Sequence, residues 1–506
     1  MHEKIVLCGW GQITQPKHAQ PPFLGPVDMM EQAARIAGQQ AGTDALSQID
    51  AILVVRSQSR YLAAPADELA RRLGARPVMT RVSGIGGESP QHFVNQAAGM
   101  LARHEANLVL VCGAEAFYPR AAGDPTGEGA LVRGIPADYA EDDLVGSNPW
   151  EQRHGLTLPI HGFPLFENAL WAASGKSRED WLESVGQMWA DFSEVAARHP
   201  NAWTRAPRTA MEIVTPGPDN RPIAFPYTKR MVSLVTADLG AAILMSTARY
   251  AAKLQGGAGK VAYFLGGGYA RDRQRFLIEK SAYTKSPALA AAARKAQNRA
   301  EVPISEVEAF DLYSCFPCAV TIARHELGIA ENDRRPLTQT GGLGFFGGPG
   351  SNFALHGIAT MAQNIAAGRY RSGLTTAIGW FMHKYAVGLY GAQPNTANFE
   401  FPDREDDAQP LAGAAPMPCA EAAQGEGVID TYTVLYARDH TPVRSILYGR
   451  LLDGRRFVAN GLADTETFTR LTGENAVGLR VQVSFDPASG CNRGALQALA
   501  VGQGAR

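Results

Sequence analysis

The sequence predicts an α/β fold of two similar halves, with an inserted region and a small C-terminal β-barrel. The first observation is a near-repeat. Gly86-Gly87 opens GGESPQHFVNQAAGMLARHEANLVLVCGAEAF, and about 260 residues later Gly347-Gly348 opens GGPGSNFALHGIATMAQNIAAGRYRSGLTTAIGWFM. Each copy combines a glycine turn, an amphipathic helix and an apolar strand, which predicts two α/β halves that face each other. Strand–helix alternation through most of the chain and alternating strands near its end are the other two observations.

The composition is that of a large globular enzyme. The chain has 506 residues, of which 45% are apolar and 19% charged, and its net charge is -1. That charge offers no argument for a nucleic-acid partner or an anionic membrane. No apolar run reaches the roughly 18 residues that a membrane span needs. Six sparse cysteines, mostly in apolar segments, favour a reducing compartment, so the prediction is a cytoplasmic protein.

Residues 1–115 are predicted to form the first part of the N-terminal half. Apolar runs at 4–11, 49–55 and 107–113 indicate strands, and the last is typical of a buried parallel sheet. Helices are expected at 27–42 and 67–74. A third helix is expected to run to about residue 104, with Ser89 as its N-cap and Pro90 at its first position.

Residues 116–225 interrupt this alternation. The stretch is rich in Pro, Gly, Trp and acidic residues and too long for a plain loop, so it is predicted to be an inserted cap over the site. Helices are expected near 163–174 and 178–197. Residues 226–259 then complete the N-terminal half, with a strand at 236–246.

Residues 260–391 are predicted to form the C-terminal half. Strands are expected at 260–268 and 307–315, and helices at 288–300 and 352–368. The runs 373–381 and 385–391 predict a closing hairpin.

The remaining residues differ in character. Residues 392–425 are rich in Pro, Ala, Asp and Gly and are predicted to be a linker. Residues 426–506 contain alternating strands, an Asp453-Gly454 hairpin turn and a helix at 464–472, which predicts a small OB-like barrel. Because the barrel lacks a basic and aromatic stripe, it is not expected to bind nucleic acid.

Three segments carry a resemblance to a known family: GGLGFFGGPGSN at 341–352, DLYSCF at 311–316 and NLVLVCGAE at 107–115. With the duplicated halves, they resemble the thiolase superfamily over about residues 1–391. The similarity is greatest to sterol-carrier-type thiolases and to bacterial thiolase-like proteins with an added C-terminal β-domain. The resemblance implies a layered α-β-α fold, an acyl-CoA thioester substrate, no bound cofactor or metal, and a homodimer or higher homo-oligomer.

The resemblance also shows substitutions at three family positions. Gly87 stands where a thiolase carries the nucleophilic cysteine, Gly348 where it carries the histidine of its second glycine motif, and Ala377 where it carries a second cysteine. In the family, the first cysteine at a helix N-terminus takes the acyl group as a thiolate. The standard thiolase mechanism is therefore not expected.

One family position remains. Cys315 matches the cysteine of the sterol-carrier-type His-Asp-Cys-Phe string, and Tyr313 replaces its histidine. A similar Tyr-Asp-Cys-Phe string is known from thiolase-like retro-aldolases. Tyr313 is thus a candidate general acid, and Cys315 a candidate nucleophile or acid/base. The alternatives are a buried strand tyrosine and an inert packed cysteine, and the lone Cys315-x-x-Cys318 pair is a weak redox signal.

Further candidates follow from position. His356 and His383 are candidate bases, although a lone histidine is usually structural. Glycine turns and helix N-termini can present N–H groups to a thioester oxygen, or they can serve turn geometry alone. Lysine and arginine suit the phosphates of coenzyme A, but a solvated loop is the alternative. The predicted oxyanion or thioester-binding residues are Gly87, Ser89, Gly347 and Gly348, and the predicted CoA-binding residues are Lys229 and Arg230.

The favoured interpretation is an enzyme that makes or breaks a C–C bond next to a CoA thioester by a non-standard mechanism, similar to a C-acyltransferase. Retro-aldol cleavage of a β-hydroxyacyl-CoA is one alternative. A catalytically silent acyl-CoA or lipid-binding module is another, and a scaffold that recruits a partner through its β-domain is a third.

Overall fold

A computed structural model describes residues 3–118, 146–254, 256, 259–395, 411 and 414–497. Part of the predicted cap, most of the predicted linker and the last residues of the predicted barrel domain lie outside these ranges.

A nine-stranded mixed sheet organises the chain up to residue 391, in the order β3-β2-β4-β7-β1-β8-β11-β10-β9. Its strands are β1 (Ile5–Thr14), β2 (Ala51–Val54), β3 (Met79–Val82), β4 (Leu108–Glu115), β7 (Leu239–Thr247), β8 (Ala262–Arg271), β9 (Ala309–Asp311), β10 (Ser372–Gly379) and β11 (Lys384–Gly391). The predicted closing hairpin is the antiparallel pair β10–β11.

The helices of this region are α1 (Pro26–Ala41), α2 (Pro65–Leu73), α3 (Ser89–Ala102), α4 (Pro149–Arg153), α5 (Pro159–Ser174), α6 (Arg178–Arg198), α7 (Ala210–Val214), α8 (Ala248–Ala251), α9 (Pro287–Ala300), α10 (Pro317–Leu327) and α11 (Phe353–Ala366). Helices α5 and α6 occupy the two predicted cap stretches. Within the described ranges, no helix has the length and apolarity that a bilayer crossing requires.

The sheet shows the duplication directly. The order β3-β2-β4-β7-β1 of the first half is mirrored by β9-β10-β11-β8 in the second, so the predicted duplicated α/β fold is confirmed. In the described residues the second half has one strand fewer, because β9, the counterpart of β2, is the sheet edge. The two halves meet where β1 pairs with β8.

Helices α3 and α11, the repeat helices, lie between the halves. Each contacts strands of both halves, and the two helices contact each other. Helix α1 covers the outer side of the first half and α9 that of the second. Strand glycines permit this close approach in both halves, because a Cβ at Gly9 would meet the carbonyl of Ala37 and one at Gly268 that of Ala292.

Two local predictions are corrected. The strand expected at 307–315 spans only Ala309–Asp311. Its pairing with β10 ends at Asp311, and the N–H of Tyr313 then donates to the side chain of Thr376 in β10 rather than to a strand carbonyl. Ser89 is not the N-cap of α3, since Glu88 holds that position and no side chain caps the helix.

The C-terminal residues form a closed five-stranded barrel, which confirms the predicted small β-barrel. Its elements are β12 (Gly425–Tyr436), β13 (Pro442–Leu451), β14 (Arg456–Gly461), α12 (Thr465–Gly473), β15 (Arg480–Asp486) and β16 (Cys491–Leu496). Strand β14 pairs in parallel with β16, and the only helix between barrel strands in the described chain precedes β15. This arrangement is OB-like.

The inserted region joins the barrel to the core. Its strands β5 (Pro222–Ala224) and β6 (Tyr227–Thr228) extend the barrel sheet next to β12. Buried Glu151 of α4 accepts hydrogen bonds from the N–H of Ile278 and the hydroxyl of Tyr448 in the barrel. Helix α4, the core and the barrel therefore share buried polar contacts.

Candidate active site

The two glycine turns of the repeat meet at the N-termini of α3 and α11. The N–H of Gly86 donates to the Oγ of Ser351 over 3.1 Å, and Gln58 donates to the same oxygen over 2.8 Å. Helix N-termini carry partial positive charge. Their convergence makes this a suitable location for developing negative charge.

Tyr313 occupies the space at position 87. A Cβ built on Gly87 would overlap the hydroxyl oxygen of Tyr313 and would lie 2.6 Å from the carbonyl oxygen of Ile378. Real Cβ atoms do not approach so closely. The phenol of Tyr313, which follows the end of β9, thus fills the space that the nucleophilic side chain occupies in the family.

The phenol of Tyr313 is held in place and neutral. Its residue is 6% exposed, and its ring meets that of Phe353 edge-on with centroids 5.5 Å apart. Burial, and to a lesser extent the neighbouring Cys315 and Glu88, raises the pKa of Tyr313 well above its usual value. A neutral phenol at neutral pH donates a hydrogen bond or a proton rather than acting as a base.

Cys315 lies near this phenol, but its thiol is not activated. Burial raises the pKa of Cys315 far above its usual value, and hydrogen bonds from the backbone offset this only in part. The residue is 8% exposed, whereas Cys318 has no exposed surface, and both cysteines are free. A protonated thiol is a poor nucleophile, so the geometry does not favour acyl transfer to Cys315.

Glu88 and Lys384 form a buried pair beside position 87 that the sequence reasoning missed. The Nζ of Lys384 lies 3.8 Å from Oε1 of Glu88, and both residues are buried. A Cβ at Gly86 or at Gly379 would overlap the carboxylate, so two glycines make room for it. A glutamate directly after Gly86-Gly87 was a visible signal, but its partner is remote in the chain.

The second glycine turn is bound to the inserted region. The N–H of Gly348 donates to the carbonyl of Leu234 over 2.8 Å, and that of Trp203 donates to the carbonyl of Phe346. Gly347 has a φ of 117°, a conformation that favours glycine. The Gly348 amide, predicted to bind a thioester, is therefore already engaged within the fold.

His356 is part of a buried polar network. Its Nδ1 lies 2.9 Å from Oε1 of Gln12, whose amide nitrogen lies 3.1 Å from Oγ1 of Thr360. Nε2 of His199 reaches the same hydroxyl. Burial, with His199 contributing, lowers the pKa of His356 to about 3, so the ring is neutral and links α11 to β1.

His383 lies elsewhere, in the turn between β10 and β11. Burial, with the positive charges of Lys384 and Lys280, lowers the pKa of His383 well below its usual value. Neither ring nitrogen has a hydrogen-bond partner. In the described parts of the chain no hydrogen bond or ring contact joins His383 to His356, so the two predicted bases are not brought together.

The remaining predicted residues lie around the turns. Ser89 is buried, and its Oγ lies 3.5 Å from the carbonyl of Gly84. Lys229 is exposed, while Arg230 donates to the carbonyl of Glu212 over 2.9 Å. Both belong to a 3₁₀ turn at Lys229–Met231 that precedes Leu234. The predicted CoA-binding residues thus begin the segment that binds the second glycine turn.

Comparisons with known proteins agree with this architecture. Residues 409–488 match the family described as the thiolase-like protein type 1 additional C-terminal domain. No curated protein matches the sequence. An aldolase described as Ltp2-ChsH2(DUF35) aligns with 77% of this chain and 97% of its own, at 18% identity and a TM-score of 0.60. An acetyl-CoA acetyltransferase from Syntrophomonas wolfei aligns with 78% of this chain and 100% of its own, at 13% identity and a TM-score of 0.56. These two matches concern the fold alone.

A third solved structure is much more similar. It is a monomeric SCP2-thiolase-like protein type 1 from Mycobacterium smegmatis, with 31% identity and a TM-score of 0.81. The alignment covers 98% of this chain and 99% of that one, so it includes both halves, the insertion and the barrel. The chain therefore belongs to the SCP2-thiolase-like proteins of type 1, in the thiolase superfamily.

Proposed function

We propose that this protein cleaves or forms the Cα–Cβ bond of a β-hydroxyacyl-CoA thioester by an aldol-type reaction, without an acyl-cysteine intermediate. The observation that carries the proposal is the Tyr313 hydroxyl in the space of the missing nucleophile. An aldol-type reaction needs a proton donor near the thioester, and it needs no covalent acceptor for the acyl group.

The reaction balances without an oxidant or a cofactor. In the cleavage direction a base removes the β-hydroxyl proton, the Cα–Cβ bond breaks, and its electrons form a thioester enolate. The β-carbon leaves as an aldehyde or ketone. Tyr313 supplies the proton that converts the enolate to the shorter acyl-CoA, and the positive end of α3 stabilises the enolate charge.

C-acyl transfer is supported less well. It requires a thiolate that accepts the acyl group, whereas position 87 carries no side chain and the Cys315 thiol is buried and protonated. An aldolase and an acetyltransferase both have this fold, so the fold itself does not distinguish the two reactions. The distinction rests on Tyr313 and Cys315.

Lys229 and Arg230 are proposed to contact the coenzyme A phosphates. Lys229 is exposed, and the segment that follows the pair reaches the second glycine turn through Leu234. Replacing Lys229 by alanine should raise KM for the CoA thioester while kcat stays near that of the wild type. An unchanged KM would remove this assignment.

The oligomeric state is a separate prediction. The resemblance implied a homodimer, whereas the relative from Mycobacterium smegmatis is described as monomeric. Light scattering on the purified protein, with and without a bound acyl-CoA, would distinguish the two states.

The main test is a panel of 3-hydroxyacyl-CoA and 3-oxoacyl-CoA thioesters, with products identified by mass spectrometry. We expect a shorter acyl-CoA and a carbonyl product without consumption of free CoA. Tyr313→Phe should lower kcat at least ~100-fold. Tyr448→Phe, which removes another buried hydroxyl at the barrel seam, is the matched control and should retain activity.

Other outcomes would contradict the proposal. Products that form only with added CoA would indicate C-acyl transfer. Tight binding of acyl-CoA with no product from any thioester would indicate the silent binding module. Equal activity of Tyr313→Phe and the wild type would remove Tyr313 from the chemistry.

A further inference from the structure

We propose that Glu88 is the base that accepts the β-hydroxyl proton of the substrate, and that Lys384 is the positioning residue that keeps Glu88 charged. This inference rests on the proposed function, since it names the proton acceptor of that reaction. The sequence had indicated no chemical role for either residue.

Glu88 lies next to the position that the thioester would occupy. Glu88 directly follows Gly87, and Tyr313, whose pKa it helps to raise, lies against Gly87. A substrate whose thioester is at position 87 would therefore have the phenol and the carboxylate close to its reacting carbons. Gly87 is only half-buried, so the site is accessible on at least one side.

Two glycines make space for the Glu88 carboxylate. Gly86 comes from the first glycine turn, and Gly379 comes from the end of β10 in the other half. At both positions any side chain would overlap the Glu88 carboxylate. Backbone from both halves is thus shaped around one charged group.

The free energy of burying the Glu88–Lys384 pair also bears on its role. A buried ion pair costs desolvation energy that its Coulomb attraction often fails to return, especially when the geometry is loose. The Glu88–Lys384 separation of 3.8 Å is loose for such a pair. The pair is therefore a poor device for stability, and a charged base is a better account of it.

The proton transfers of this reaction balance. The β-hydroxyl O–H bond breaks and its proton goes to Glu88, while the carbonyl forms and the Cα–Cβ bond breaks. Tyr313 then protonates Cα. Glu88 releases its proton to solvent and Tyr313 regains one, so each turnover is neutral overall.

The test compares Glu88→Gln with Glu151→Gln, which removes another buried carboxylate at the barrel seam. We expect Glu88→Gln to lower kcat at least ~100-fold with KM within about threefold of the wild type. The acid limb of the kcat–pH profile should vanish, because no carboxylate is left to protonate. The thermal unfolding midpoint of Glu88→Gln should not fall below that of Glu151→Gln. Glu88→Asp should recover part of the kcat that Glu88→Gln loses.

Lys384→Gln tests the positioning role. It should lower kcat at least tenfold and move the acid limb to higher pH, because the nearby cation that favours the carboxylate is gone. Lys384 is paired with Glu88, and Tyr313 lies near enough for Glu88 to affect its pKa. The double variant should be about as slow as Glu88→Gln alone, since residues that act as a unit are not additive.

The outcomes separate this inference from the proposed function. If the wild type cleaves the thioester and Glu88→Gln does so equally well, the inference is wrong and the function stands. If the wild type cleaves nothing in the panel, both are wrong. Should Glu88→Gln fail to fold, Lys384→Gln decides, and wild-type kinetics for that variant would overturn the inference.

Discussion

The two glycine turns have similar sequences but different surroundings. At the first turn, Gly87 faces the phenol of Tyr313, and a buried Glu88–Lys384 pair lies beside it. At the second turn, Gly348 is hydrogen-bonded to Leu234, and the following helix carries His356 in a neutral polar network. The first turn combines an ion pair with a proton donor, whereas the helix after the second turn carries a buried, neutral histidine.

The difference indicates that the duplication provides two similar backbone structures but not two similar sites. Both turns present a helix N-terminus to the centre of the molecule, and the first combines it with the Tyr313 phenol and the Glu88 carboxylate. The second turn also contacts the first, since the Oγ of Ser351 accepts a hydrogen bond from the N–H of Gly86. The predictions below test this division.

Alanine at the two turns should have unequal effects. Gly87→Ala places a methyl group against the Tyr313 hydroxyl and the Ile378 carbonyl, so it should reduce the free energy of unfolding by about 3 kcal/mol. Gly348→Ala finds no atom outside its chain neighbours nearer than 3.4 Å, so its effect should stay within about 0.5 kcal/mol. Denaturant unfolding measures both. Equal losses would contradict the described packing of the first turn.

His356→Ala tests the structural role of the second turn. Loss of the Gln12 contact and of a fully buried ring should cost about 2 kcal/mol of stability. Activity of the folded variant should remain within about threefold of the wild type, because burial lowers the pKa of His356 to about 3, which makes its ring a weak base, and Gln12 already bonds to Nδ1. A 100-fold drop in kcat at unchanged stability would instead make His356 a catalytic base.

Glu115, which lies beside the second turn at Gly350, should make stability depend on pH. Burial raises the pKa of Glu115 to about 7, despite hydrogen bonds from Ser59, Gln58 and Ser57. The folded state then binds a proton more tightly than the unfolded state, whose pKa is near 4.5. Its contribution to stability is therefore present below pH 4.5 and falls, by about 1–3 kcal/mol, as the pH rises to 7.

Glu115→Gln should flatten that part of the stability–pH curve, measured by urea unfolding between pH 4.5 and 8. Glu151 and Glu167 have similarly raised pKa values, so some slope should remain in the variant. A curve identical to that of the wild type would show that Glu115 ionises normally in the fold.

Cys315 should contribute much less to turnover than Tyr313. Because burial keeps its thiol protonated, Cys315→Ala should lower kcat less than ~10-fold, far less than Tyr313→Phe. Iodoacetamide at pH 8, followed by peptide mass spectrometry, should modify the half-buried Cys419 faster than Cys315. Rapid and inactivating modification of Cys315 would restore the nucleophile hypothesis.

Much of the fold was predictable because its signals are local. The glycine turns, the repeat helices and the apolar strands each depend on a few neighbouring residues, and the predicted helix at 288–300 differs by one residue from the observed Pro287–Ala300. The strand expected at 307–315 is shorter in the structure, since beyond Asp311 the N–H of Tyr313 donates to the Thr376 side chain rather than to a strand carbonyl. The apolar pattern of the sequence could not reveal where the strand ends.

The sequence by itself determined the duplicated halves, the C-terminal barrel and the loss of the family's nucleophile at Gly87, since these are matters of pattern and of residue identity. Only the tertiary structure decided what replaces that nucleophile. Tyr313 reaches Gly87, and Lys384 reaches Glu88, through the packing of one half against the other. Such contacts depend on chain segments whose separation in sequence carries no information about their distance in space.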